Sequence, residues 1–240
     1  MAMGVDYVLQ HCREDDFVLA LNNDLTFDVD LLDALLEGSR RYPRAIISSV
    51  VYDAEDRTKV LDAGQFFDGT TTERPIRPGQ DANCDTNVTT GRGVLFPVAV
   101  FRTAGNYARR LLPHYHADLE MALRAQRHGF LLATYYDARV HLRTETTGFG
   151  ESLFQKRTLH ELWEMASSRK SVRDLRSTLA FALFACPWNY LPKYVLKELV
   201  YFFWVYTGFT PLWQIRWPLT ALCKLLFPTW YERHDQAVAH

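Results

Sequence analysis

The chain of 240 residues has few features of disulfide-stabilised, zinc-binding or nucleic-acid-binding proteins. Its four cysteines are far apart and form no Cys-X-X-Cys pair, which disfavours a disulfide framework and a zinc site. The formal net charge of −1 gives no electrostatic attraction for nucleic acid. The start has no basic region followed by an apolar core, so no secretory signal is expected. We therefore expect a cytoplasmic protein that binds no nucleic acid.

The first 150 residues alternate between apolar runs and segments with helical spacing. Apolar runs at 17–21 and 45–52 predict strands, the first of them covered on both faces. A helix is predicted to begin at Thr26 to Asp28, with Gly38 and Pro43 as the residues that end it. Two further strands are predicted at 131–136 and 138–142. This alternation predicts an α/β fold with a mainly parallel or mixed sheet.

The remaining residues, 151–240, predict a helical extension that is rich in aromatic residues. The uncharged run Leu199–Ile215 is about 17 residues long, which is the lower limit for a membrane span. Aromatic residues with Lys and Arg at the edges suit the membrane interface better than its centre, so we expect peripheral membrane contact. Alternatively, these helices pack on residues 1–150 or pair with a second copy to form a homo-oligomer.

Three polar residues, Asn22, Asn23 and Asp24, follow the first predicted strand directly. An open α/β sheet places its ligand at the carboxyl ends of its strands. The carboxylate of Asp24 could hold a divalent cation there, and the cation could hold a phosphate. The alternative is a polar turn, because Asn and Asp are common turn residues.

A second acidic cluster, Asp118 and Glu120, lies at the start of a helix predicted over 118–128. Acidic residues interact favourably with the positive end of a helix dipole, so good helix design is one explanation. The other is that Asp118 acts as a general base and takes a proton from an attacking hydroxyl.

Four motifs in order over residues 16–148 resemble the inverting glycosyltransferases of family 2, which have the GT-A nucleotide-sugar fold. They are Leu21–Asp24, Thr90–Gly93, Ala117–Glu120 followed by Arg124, and Ala138–His141. The branch that adds rhamnose or related sugars to bacterial polysaccharides is the most similar. The resemblance implies a partial GT-A domain over residues 1–150 and a membrane-associated extension over 151–240.

On the donor side, the resemblance implies that Asp24 binds Mg²⁺ or Mn²⁺ and that the metal bridges the diphosphate of a nucleotide-diphospho-sugar. Asn22 and Asn23 would support that site. His141 would be a further metal ligand, and a buried or capping histidine is the alternative for it.

On the acceptor side, the resemblance implies that Asp118 is the catalytic base. Four further residues would contact a saccharide or lipid-linked acceptor: Thr90, Gly91, Glu120 and Arg124. For Glu120 and Arg124, anchoring of the helix is the alternative role.

The implied activity is transfer of a sugar with inversion, by a single displacement, at the inner face of the cell membrane. Family members have base-binding βαβ units before the first of these motifs, whereas Met1 to Leu9 are expected to be the end of the preceding helix. We therefore expect weak nucleotide-sugar binding and little turnover by this chain. The alternative function is a non-catalytic membrane-associated remnant, or a subunit that needs a partner to supply the missing βαβ units.

Overall fold

The computed structural model describes residues 1–69, 72–73, 80–113, 115–143, 159–168, 174–209 and 225–226. Internal contacts divide the chain into two units. One comprises Met1–Asp68 and Thr72–Gly148, and the other comprises Gly69–Thr71 and Phe149–His240.

The described residues of the first unit alternate between helices and strands. In chain order the elements are α1 (Ala2–His11), β1 (Phe17–Ala20), β2 (Leu25–Phe27), α2 (Leu31–Arg41), β3 (Ala45–Asp53), β4 (Val60–Asp62), β5 (Phe66–Phe67), β6 (Thr72–Glu73), β7 (Ala82–Asn83), β8 (Val94–Pro97), α3 (Val98–Ala104), α4 (Ala117–Arg127) and β9 (Leu131–Leu142).

The main sheet is mixed and has the order β1-β8-β3-β9-β2, with β4 paired to β3 and β7 paired to β9. Its two longest strands, β3 and β9, are parallel, and the other pairs in this sheet are antiparallel. The predicted α/β fold with a mixed sheet is confirmed. The strands predicted separately at 131–136 and 138–142 are one strand, whose register against β3 shifts between Ser49 and Val50.

Helices cover the sheet on both faces, so the unit has two apolar layers. On one face, side chains of α1, α3 and α4 pack on the sheet in a cluster that includes Val5, Phe101 and Met121. On the other face, Leu31 and Leu35 of α2 pack against the sheet. Burial on both faces explains why β3 is an almost continuous apolar run.

The coverage predicted for residues 17–21 is wrong. In β1 only Ala20 is buried, and Phe17 is exposed. The reason is position, because β1 is the outermost strand in the described part of the sheet and pairs only with β8 there. Composition alone does not distinguish an outer strand from a central one.

The helix start predicted at Thr26 to Asp28 is also wrong. Residues Leu25–Phe27 form β2, which pairs antiparallel with the end of β9, and α2 begins at Leu31 after Asp30. Pairing with β9 satisfies the backbone groups of this short segment, and this tertiary contact overrides the local helix signal.

The Leu21–Asp24 segment connects β1 and β2, which lie at opposite ends of the strand order. Ala20 pairs with Val94, at the beginning of β8, and Leu25 pairs with Leu142, at the end of β9. The four connecting residues therefore run from the β1 edge of the sheet to the β2 edge.

The described residues of the second unit form α5 (Leu159–Ser167), α6 (Leu175–Ala185) and α7 (Leu191–Phe209). Asp174 caps α6, since its carboxylate accepts hydrogen bonds from the backbone N–H groups of Arg176 and Ser177. Among the described helices, none has the length and apolar character needed to cross a membrane. In the uncharged run Leu199–Ile215, residues 210–215 lie outside the described residues.

Helix α2 ends at Arg41, shortly before the predicted Pro43, whereas Gly38 lies inside the helix where it packs on the sheet. A Cβ added at Gly38 would lie 3.0 Å from Cγ2 of Ile47 and 3.1 Å from Cγ of Tyr135. Both neighbours are fully buried and have no room to move. The glycine therefore permits close helix–sheet approach.

We expect Gly38→Ala to lower the free energy of unfolding by about 1–2 kcal/mol, because overpacking outweighs the gain in helix propensity. Gly4→Ala in α1 is the matched control, since a Cβ there meets no atom within 4 Å. It should raise the free energy of unfolding by about 0.5–1 kcal/mol. Urea denaturation measures both, and a stabilised Gly38→Ala protein would contradict the close packing.

Candidate active site

Three of the four sequence motifs meet at one end of the main sheet. Ala20, which precedes the Leu21–Asp24 segment, pairs with Val94, the residue after Gly93. Gly91, two residues earlier, lies directly against the carboxylate of Asp118 at the start of α4. The fold thus assembles residues that are about 100 positions apart in sequence. Long-range assembly of this kind is typical of active sites.

The Thr90–Gly93 loop is fixed by two glycines in the left-handed region, with φ of 68° at Gly91 and 71° at Gly93. The Ser49 hydroxyl donates to the carbonyls of Arg92 and Gly93, at 3.0 and 2.7 Å. The Ser49 backbone N–H also donates to the Gly93 carbonyl, at 2.9 Å. These bonds tie the loop to β3 and set its position.

The carboxyl group of Asp118 is enclosed and has a raised pKa. A Cβ at Gly91 would lie 2.5 Å from its Oδ2, and its Oδ1 is enclosed with no hydrogen-bond partner among the described residues. The residue keeps some exposed surface, but its carboxyl group is surrounded by protein atoms. Burial therefore raises the pKa of Asp118 from 3.8 to about 6, although the charges of the chain's amino terminus and Arg92 oppose the shift.

Two residues that sequence reasoning left unassigned share the surroundings of Asp118. The Nε of Arg92 and the hydroxyl of Tyr107 are both enclosed, and neither has a hydrogen-bond partner among the described residues. Burial, and secondarily the charge of Asp118, raises the pKa of Tyr107. For Arg92, the signal in the sequence was its place between two glycines.

The Asn22–Asp24 triplet lies in the turn between β1 and β2, with Asn22 and Asp24 half-buried and Asn23 exposed. The carbonyl of Asp24 accepts from the backbone N–H of Arg143, at 3.1 Å, which holds the turn against the end of β9. Oδ1 of Asp24 is enclosed without a hydrogen-bond partner in the described part of the chain. A buried carboxylate oxygen without a hydrogen-bond partner fits the role of a cation ligand.

His141 is buried in β9, where it pairs with Thr26 on one side and Tyr52 on the other. Its Nε2 lies 3.5 Å from Oδ2 of Asp28, and its Nδ1 is enclosed without a partner among the described residues. Within those residues no group of three metal-binding side chains forms. If Asp24 and His141 held a Mg²⁺ or Mn²⁺ ion, other groups would have to complete its ligand set.

Glu120 and Arg124 form an ion pair along α4. The guanidinium donates to both carboxylate oxygens of Glu120, from Nε at 2.7 Å and from an Nη at 3.0 Å. It also donates to the carbonyls of Ala104 and Asn106, at and just beyond the end of α3. These contacts are those of the helix-anchoring alternative, and a role in acceptor binding stays a prediction. Thr90, on the loop, donates weakly to Asp62 at 3.4 Å.

Comparison with known proteins gives no family assignment. No protein-family model and no curated protein match the chain. Among solved structures, it is similar to GalNAc-T7 with UDP, GalNAc and Mn²⁺, at 10% sequence identity and a TM-score of 0.46. The similarity covers 82% of this chain and 43% of that one, so this chain spans less than half of that structure's length.

We expect Asp118→Asn to stabilise the protein at pH 7. The folded-state pKa lies above the ordinary value, so the folded protein binds the proton more tightly and loses stability as pH rises from about 4 to about 6. Asparagine removes that loss, which amounts to at most about 3 kcal/mol at pH 7.

Asp33→Asn is the matched control, because Asp33 also lies in the first turn of a helix but is exposed. It should lose about 0.3–1 kcal/mol, the ordinary value of an acidic residue at a helix start. Urea denaturation of both variants at pH 4 and pH 7 makes the comparison. A destabilised Asp118→Asn protein at pH 7 would show that Asp118 serves helix design.

Proposed function

We propose that the chain supplies the catalytic base and the acceptor side of an inverting glycosyltransferase, which moves a sugar from a nucleotide-diphosphate donor to a saccharide or lipid-linked acceptor. The observation that carries the proposal is the enclosed carboxylate of Asp118, which has an unpartnered oxygen and a pKa raised by burial to about 6. A carboxyl group with a pKa near neutrality is suited to take and release a proton at working pH.

In this mechanism Oδ1 of Asp118 accepts the proton of an acceptor hydroxyl as that oxygen attacks the anomeric carbon of the donor. The bond from the anomeric carbon to the diphosphate breaks on the opposite side, so the configuration inverts. Asp24 and His141 would hold a divalent cation, which, when bound, neutralises charge on the leaving diphosphate. Ser49 and the two glycines keep the loop in place over the carboxylate, which limits access of water.

Replacing Asp118 by Asn should lower kcat for transfer by about 10²–10⁴-fold, because asparagine cannot accept the proton. The measurement is release of nucleoside diphosphate from a panel of UDP- and dTDP-sugars with saccharide acceptors and Mn²⁺. Donor affinity, followed by calorimetric titration, should stay the same, and Asp33→Asn should transfer as the unmodified chain does. Transfer at the unmodified rate by Asp118→Asn would exclude Asp118 as the base.

A second candidate is a subunit that adds a strand from a partner to β1. The outer position of β1 in the described sheet favours it, since an outermost strand leaves one row of backbone N–H and C=O groups available for pairing. Sedimentation of the purified chain with and without a candidate partner tests this function. A complex with the partner would support it, and a chain that stays monomeric would contradict it.

We propose in addition that the second unit contacts a membrane surface through α6. Leu175, Leu179 and Leu183 lie at four-residue intervals along this helix and are all exposed, and Trp188 follows it with 80% of its surface exposed. Two exposed cations, Arg176 and Lys193, are close in sequence to this apolar row. Apolar and aromatic residues beside basic ones are typical of helices that lie in the membrane interface.

The double substitution Leu179→Gln and Leu183→Gln should lower partitioning onto anionic phospholipid vesicles by at least about tenfold, because two apolar side chains lose their burial in lipid. Co-sedimentation of the full chain with vesicles measures it. Leu131→Gln is the control, since Leu131 is an exposed leucine of the first unit. Unchanged partitioning would contradict membrane contact by α6, and so would conversion of a dimer to a monomer without any vesicle binding.

A further inference from the structure

Arg92 carries a positive charge that no described side chain or carbonyl satisfies. The residue is half-buried, its Nε is enclosed without a hydrogen-bond partner, and it forms no ion pair with any described residue. Enclosing a guanidinium N–H without a partner costs free energy. A buried donor of this kind is a candidate contact for a ligand.

The charge of Arg92 acts on Asp118: burial raises the pKa of that carboxyl group, and the charges of the amino terminus and of Arg92 lower it. The two side chains nevertheless form no ion pair within 4.0 Å, although the carboxylate also has an unpartnered, enclosed oxygen. The surroundings of Asp118 therefore contain two enclosed donors without a partner among the described residues, the Nε of Arg92 and the hydroxyl of Tyr107, beside one enclosed acceptor oxygen of Asp118.

The backbone of Arg92 is held in one position. Its own carbonyl accepts from the Ser49 hydroxyl, and the glycines on both sides are packed against protein atoms. A Cβ at Gly91 would collide with the Asp118 carboxylate, and one at Gly93 would collide with Ser49. The loop is thus fixed at both ends of the arginine, and the position of its Cα is set before any ligand binds.

We infer that Arg92 binds the acceptor saccharide, with its half-buried guanidinium donating to the oxygen of one sugar hydroxyl while Asp118 accepts from the neighbouring hydroxyl. This inference rests on the proposed function, because it takes the Asp118 side of the loop as the acceptor site. Two adjacent hydroxyls present a donor and an acceptor side by side, which matches the two unpartnered groups. Because the carboxylate of Asp118 would contact the sugar directly and would repel a negative charge on it, we expect a neutral sugar rather than an anionic one.

Saturation-transfer NMR of the full chain with methyl glycosides of neutral hexoses and 6-deoxyhexoses, in the absence of donor, tests the inference directly. At least one glycoside should bind, and Arg92→Met should weaken its binding by at least about tenfold through loss of a charge-assisted hydrogen bond. Arg110→Met is the matched control, since Arg110 is exposed in the same unit, and it should bind as the unmodified chain does. Arg92→Lys keeps the charge and is a second test in case the Met variant does not fold. It should also bind the glycoside more weakly than the unmodified chain does.

Deoxy analogues of the bound glycoside give a sharper readout. Removal of the hydroxyl that Arg92 contacts should weaken binding to the unmodified chain but cause no further loss in Arg92→Met, because the same interaction is already missing.

Independent, additive losses for every hydroxyl would overturn the inference, as would equal binding by Arg92→Met and the unmodified chain. Stronger binding of uronates or sugar phosphates than of neutral glycosides would overturn the choice of a neutral sugar, and absence of binding by every glycoside would contradict the site itself.

The two proposals fail in different ways. Transfer that is lost in Asp118→Asn, together with an unchanged acceptor KM in Arg92→Met, would overturn the role of Arg92 and leave the base in place. Arg92-dependent glycoside binding, together with normal transfer by Asp118→Asn, would overturn the base and leave the sugar site.

Discussion

The packing of the Asp118 carboxylate against the backbone of Gly91 is the contact on which the candidate site depends. It encloses the carboxyl group, and that enclosure raises the pKa of Asp118. The same contact explains the glycine at position 91, because any side chain there would displace the carboxylate. Through the Thr90–Gly93 loop it also links α4 to β3, where Ser49 holds the carbonyls of Arg92 and Gly93.

Helix α4 places two acidic residues in opposite environments only two positions apart. Glu120 is paired with Arg124, which also binds carbonyls at the end of α3, so this pair fixes the helix. Asp118 has one oxygen with no partner and is costly to ionise. Glu120 thus stabilises the position of α4, and in the proposed mechanism Asp118 supplies the reacting carboxylate from that helix.

The sequence predicted the elements whose signal is local. The apolar run of β3 and the helical spacing of α4 are of this kind, and both were found. It failed for Leu25–Phe27, because their strand forms only by pairing with β9, and for Gly38, because its role depends on Ile47 and Tyr135 across the helix–sheet contact. For the site, the motifs predicted roles for Asp118 and Asp24, which stay predictions, whereas Arg92 became a candidate only when the structure left its Nε without a partner among the described residues.

The short connection between β1 and β2 also limits the shape of the main sheet. Ala20 and Leu25 are five peptide steps apart, which reach about 18 Å when fully extended. Four strand spacings lie between β1 and β2, so a flat sheet would separate them by about 19 Å even without any offset along the strands. Because Asn23 and Asp24 form a turn, the segment spans less than its fully extended reach, so the sheet curls for the chain to close the gap. Added residues in this segment would relax that covalent restraint, whereas removal of one would break the pairing of β1 or β2.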